Sequence, residues 1–182
     1  LLPQAITEFA NAALMAGISS VNFNNNVYKE FNGYLTASST YSAFSYLKYG
    51  AFRVYSQMVQ DSQFKLGKTI WIAGHSGPET GEDSRTHFGI FAPGVTQLFP
   101  KGQVLNIHPW EYNEVPVMLG EALKMDIPII VLHLTRPPVE IPDRKKLGIA
   151  SHFDSAKGAY IIKDFDNDRP KQGVVMVRGT MV

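Results

Sequence analysis

Apolar residues at Ile6, Phe9, Ala10, Ala13, Leu14 and Gly17 are spaced i, i+3, i+4, i+7, i+8 and i+11. That spacing predicts a helix with one apolar stripe, and Glu8 lies off it. An asparagine-heavy passage, Asn22-Phe23-Asn24-Asn25-Asn26, follows and reads as loop. A second helical pattern runs from about Tyr41 to Val59, with Phe44, Leu47, Ala51, Val54, Tyr55 and Met58 on one side. Ser38, Ser39 and Thr40 just before it offer N-caps. The run Thr69-Ile70-Trp71-Ile72-Ala73 predicts a buried strand, and Gln103 to Ile107 predicts another, stopped by His108-Pro109. A helix is expected from about Glu111 to Lys124, burying Val115, Met118, Leu119, Ala122 and Leu123. It leads into Ile129 to Leu134, an uninterrupted apolar strand of the kind covered on both faces. Strand, helix, strand in that order implies parallel pairing and right-handed crossovers. The expected fold class is therefore α/β: a doubly wound, mostly parallel sheet with helices on both faces.

Pro137-Pro138-Val139-Glu140-Ile141-Pro142 and the charged Asp143-Arg144-Lys145-Lys146 read as a linker. The expected division is a first domain over 1–140, a linker over 141–155 and the start of a second domain over 156–182. Gly173 to Gly179 reads as a strand entering a sheet, and the start at Leu1 without methionine suggests a piece of a longer protein. At 45% hydrophobic over 182 residues, one well-buried core is within reach. Seventeen basic and sixteen acidic residues give a net charge of +1 with no basic run, which argues against nucleic acid. The chain has no cysteine, which excludes disulfides and thiolate chemistry and fits a cytoplasmic protein. No apolar run approaches the roughly 18–20 residues that span a bilayer, so no membrane association is expected.

Candidate chemistry concentrates in the glycine-rich stretch Gly74 to His87, directly after the first predicted strand. It carries His75, Asp83 and His87, at the strand end where open α/β sheets place ligands. Two imidazoles on one loop also suit a metal, but a third ligand at convincing spacing is missing, so no metal site is expected on this chain. Glu8 reads either as a solvated residue on the outer helix face or as a functional acid. Tyr41 and Phe44, three apart on the expected helix, are either core residues or two rings able to flank a flat heterocycle. Asp164-Phe165-Asp166-Asn167-Asp168 imitates a calcium loop, but Arg169 stands where glycine must turn the chain and Val175 where a bidentate glutamate is required. The loop at 74–81 has neither a dinucleotide nor a P-loop pattern.

Five segments in series resemble the transketolase family of thiamine diphosphate enzymes. The loop with His75, Gly81, Glu82, Asp83, Thr86 and His87 is similar to the family's H-D-S-x-x-x-G-E-D-G-P-T-H, from which Ser76, Gly77, Ser84 and Arg85 depart. Ile6-Thr7-Glu8 through Gly17-Ile18 resembles the I-R-E helix, Thr40-Tyr41-Ser42-Ala43-Phe44 the T-F-x-x-F segment, Asn106 to Val115 the R-P-A-D-x-N-E turn, and Leu134-Thr135-Arg136 the L-S-R. Leu47 sits where the family often has a further aromatic residue. Ala156 to Ile162 is similar to the K-G-G-Y-V-L entry of its C-terminal domain.

The resemblance implies transfer of a two-carbon ketol unit between sugar phosphates. Glu8 stands in the place of the catalytic glutamate, whose hydrogen bond to N1′ of the aminopyrimidine favours the imino tautomer that removes the thiazolium C2 proton. It further implies Tyr41 and Phe44 as cofactor contacts, His75, Asp83 and His87 as catalytic and substrate-facing groups, and Arg136 as a phosphate grip through its forked guanidinium. The family's diphosphate and Mg²⁺ ligands are expected outside this chain, which carries no G-D-G motif. A homodimer, or a partner carrying the pyrophosphate-binding domain, is implied because the two halves of such a site come from different subunits. The loop departures keep two alternatives open: a phosphoketolase-like or deoxyxylulose phosphate synthase-like enzyme, and a non-catalytic assembly domain of the same fold.

Overall fold

A computed structural model describes residues 7–76, 87, 92–170 and 173–179. Four parallel strands form its sheet: β1 (Thr36–Tyr41), β2 (Thr69–Gly74), β3 (Val104–Ile107) and β4 (Ile129–His133), in the spatial order β1-β2-β4-β3. The helices are α1 (Glu8–Ser19), α2 (Tyr49–Asp61), the short α3 (Ala92–Thr96) and α4 (Glu114–Lys124). The chain moves one way along the sheet from β1 through β2 to β3 and reverses from β3 to β4. With right-handed crossovers, that reversal places α4 on the opposite face from α2.

The core divides accordingly. Trp71, Ala73, Ile129 and Val131 pack with Ala12, Met15 and Ala16 of α1 and Ala51, Phe52 and Tyr55 of α2. Ile130 and Leu132, pointing the other way with the strand's period of two, pack with Ile72, Leu105, Ile107 and the α4 residues Val115, Met118, Leu119 and Ala122. β4 is buried at every position, with a strand on each side and core side chains packed on both faces. The doubly wound α/β architecture is as the strand and helix order predicts.

Several elements differ from the sequence reading. Ser38, Ser39 and Thr40 do not cap a helix; they belong to the edge strand β1, and the next turn is 3₁₀ (Ser42–Lys48) before α2 begins at Tyr49. A strand of small hydroxyl residues has no apolar alternation to announce it. α1 forms where expected, but it buries Ala12, Met15, Ala16 and Ser19, and leaves Phe9 59% and Leu14 45% exposed. This helix is apolar on nearly every side, so periodicity alone does not choose its inner face. Residues 173–179 pair with no strand among the described residues, and Val174, Val175 and Met176 lie exposed.

The stretch expected as a linker is fastened to α4. Arg144 donates to Glu111 (2.9 Å) and Glu114 (2.7 Å), with its guanidinium 4.5 Å above the Trp110 ring. Arg144 also donates to Tyr160 Oη (3.0 Å), which in turn donates to Glu114. The same carboxylates accept from the backbone N–H groups of Asn113 and Trp110, so residues 111–113 form a turn and α4 starts at Glu114 rather than Glu111. Burial works against the Arg144 charge, but the bonds to Glu114 and Tyr160 outweigh it and hold its pKa above the ordinary value. Tyr160 is pushed up to about 12 by burial and by Glu114.

Candidate functional site

The register of the sheet brings the carboxyl ends of β1, β2 and β4 together, pairing Tyr41 with Gly74 and Ala73 with His133. Immediately beyond Gly74 the backbone turns left-handed at His75 (φ +54°), unlike any other non-glycine among the described residues. That turn sets the His75 ring 4.2 Å from Tyr41. His87 stacks on the same tyrosine at 4.1 Å and 11°, and lies 6.0 Å from His75. Phe44 meets Tyr41 edge-on at 5.9 Å and 78°, and His87 at 5.8 Å. Four of the residues singled out from the sequence thus form one ring cluster, in which Tyr41 and Phe44 are perpendicular rather than parallel walls.

Glu8 opens α1 and is half-buried. Its Oε1 accepts a hydrogen bond from Thr40 Oγ1 at 3.0 Å, one residue before Tyr41, so α1 delivers its carboxylate to the strand end that carries the ring cluster. Arg136 is exposed three residues past the end of β4. Asp83 lies outside the described residues.

Sequence reasoning missed the polar groups beneath this surface. On the inward face of β1, Thr36, Ser38 and Thr40 bond in turn to Ser19 (2.9 Å), Lys48 (2.8 Å) and Glu8 (3.0 Å). Lys48 is wholly buried, and desolvation lowers its pKa to about 8 against the opposing attraction of Glu8. Its place in a helical pattern of the sequence marks it as a surface charge; only the 3₁₀ turn rotates it inward. His133, at the end of β4, contacts Ser76 Oγ (3.1 Å) through Nδ1 and Asn106 Oδ1 (2.9 Å) through Nε2. It stacks on His108 at 4.0 Å and 9°. Burial, then His108 and Arg178, bring His133 down to about 2, and burial with Arg178 brings His108 to about 4.

No family model matches the chain. The chain is similar to transketolase 1 of Saccharomyces cerevisiae, with 28% identity over 162 residues, which is 89% of this chain and 20% of that protein. That likeness points to a transketolase-related chain. It spans about a fifth of the relative's length. Among the described residues no helix is long and apolar enough to cross a membrane.

Proposed function

We propose that this chain supplies the pyrimidine-binding half of a thiamine diphosphate-dependent site that moves a two-carbon ketol unit between sugar phosphates. The observation that supports this most is the convergence of Glu8, through Thr40, with Tyr41, Phe44, His75 and His87 at one strand end. A half-buried carboxylate bonded at the strand end that also carries aromatic rings fits an aminopyrimidine, which needs an acid partner at one ring nitrogen and an apolar wall along its faces.

When bound, thiamine diphosphate supplies a carbon nucleophile and an electron sink for breaking the ketose C–C bond. Glu8 holds the proton at N1′ of the aminopyrimidine, and the Thr40 hydroxyl fixes the carboxylate that does so. Tyr41 and Phe44 exclude water from one side of the ring. His75 and His87 donate to and accept from the ketose hydroxyls as protons move between its oxygens, with Asp83 orienting one hydroxyl. Arg136, at the exposed rim, takes the phosphate in a fork. The diphosphate and Mg²⁺ are held by the pyrophosphate-binding domain of a second subunit or a partner chain. The exposed Phe9 and Leu14 on α1, the helix that begins with Glu8, give such a partner an apolar face to cover.

In the full-length protein assembled with its diphosphate-binding domain, Glu8→Ala is expected to lower turnover of ketose phosphate plus aldose acceptor by on the order of 10²-fold or more. The unfolding midpoint should hardly move. A variant that turns over at near the parent rate would overturn the assignment.

A further inference from the structure

We infer that Ser76 is a specificity-determining residue of this site, presenting an oxygen that only accepts, so that it selects a ligand hydroxyl and disfavours an anionic oxygen. Its hydrogen-bond order follows from its neighbours. Ser76 is the second residue past β2, half-buried, and its backbone N–H is tied to Leu134 O at 2.9 Å. Its Oγ lies 3.1 Å from His133 Nδ1, and the other ring nitrogen, Nε2, lies 2.9 Å from Asn106 Oδ1.

A carboxamide oxygen accepts and never donates, so Nε2 carries the hydrogen. Asn106 Nδ2 donates to Thr96 Oγ1 at 2.9 Å, and Oδ1, 3.1 Å from the same hydroxyl, is the atom turned toward His133. Were the ring doubly protonated, Nδ1 would donate as well. That state is disfavoured: His133 is 4% exposed, stacked face to face on His108, and Arg178 repels a charge there. The neutral ring has one N–H, already committed to Asn106, so bare Nδ1 accepts and Ser76 must be the donor. The hydroxyl has a single proton, and it points inward. Two lone pairs remain on the oxygen.

A sugar hydroxyl satisfies those lone pairs; a phosphate or carboxylate oxygen meets them lone pair against lone pair. Ser76 therefore orients a polyhydroxylated ligand with an O–H toward β2. His133 and Asn106 are positioning residues that set the direction of this bond without touching the ligand. Only the identity of the ligand as a phosphorylated ketose rests on the function proposed above.

Two measurements test the inference. In ¹⁵N spectra of the chain labelled at histidine, His133 should be the Nε2–H tautomer and unchanged between about pH 5 and pH 9. An Nδ1–H tautomer would reverse the donor order and overturn the proposal. In the full-length assembly, Ser76→Ala should raise KM for fructose 6-phosphate about tenfold with kcat little changed. Ser76→Thr should restore it, and inhibition by inorganic phosphate should be no weaker in Ser76→Ala than in the parent. An unchanged KM, or a loss that Ser76→Thr does not rescue, would overturn the assignment. If the parent assembly turns over no ketose phosphate while His133 has the stated tautomer, the function proposed above fails and the acceptor-only serine stands.

Discussion

Two places in this molecule hold carboxylates out of bulk water, and they do so on opposite terms. Glu111 and Glu114 are fully enclosed and met by a guanidinium, a phenol and two backbone N–H groups. Glu8 is half-buried and meets a neutral hydroxyl, with a buried lysine close enough to feel its charge. The first arrangement uses up the carboxylates' acceptor capacity on protein groups and ties the 143–160 stretch to α4. The second leaves capacity over. A carboxylate saturated by its own chain serves packing, whereas one with lone pairs to spare at a strand end can still accept from a ligand.

The contrast is broken most severely at the clasp. Arg144→Met should cost about 3–5 kcal/mol in urea unfolding, because two buried carboxylates lose their cation. Adding Glu111→Gln and Glu114→Gln to that variant should recover most of the loss; failure to recover it would mean that packing on Trp110, not charge, holds the clasp.

Lys48→Met should move stability the other way. Below about pH 8 the folded chain carries the full penalty of a buried ammonium, since the lysine is protonated in both states but less tightly when folded. That penalty fades as pH rises from about 8 toward the unfolded value of 10.5. The gain from methionine is therefore greatest at neutral pH, up to roughly 3 kcal/mol, and shrinks toward zero in alkali. A gain that stays constant across this range would show that burial does not depress Lys48.

The smallest effect is expected at Thr40→Val, which keeps the shape and removes the hydroxyl that fixes Glu8. Stability should change by less than about 1.5 kcal/mol, while turnover in the assembled enzyme falls severalfold with KM little changed. Equal loss of stability and turnover would make Thr40 a structural residue only.

Legibility in the sequence followed apolar contrast. β2, β3, β4 and α4 announced themselves because a strand or helix covered by the core needs a run or a period of apolar side chains, as Ile129–His133 shows. β1 was silent, since Thr36, Ser38 and Thr40 earn their place through hydroxyl bonds to Ser19, Lys48 and Glu8 rather than through burial of apolar surface. Among the candidate site residues, His75 and His87 stood out as types on one loop, whereas Glu8, Tyr41 and Phe44 read either way from the residues alone and were singled out by the family resemblance. Their supports did not stand out. His133 looked like the end of an apolar strand, and its role appears only when parallel pairing sets it beside Ala73 and hence under Ser76.

The left-handed backbone at His75 bears on how this loop should be dissected. A residue with a Cβ sits there against a local cost of roughly 1–2 kcal/mol, which glycine escapes. Alanine at this position would delete the imidazole yet keep the torsional load, while valine would add to it by crowding a branched side chain into the same turn. Glycine relieves the load as it removes the ring, so comparing the glycine and alanine variants separates what the imidazole does from what the bend does.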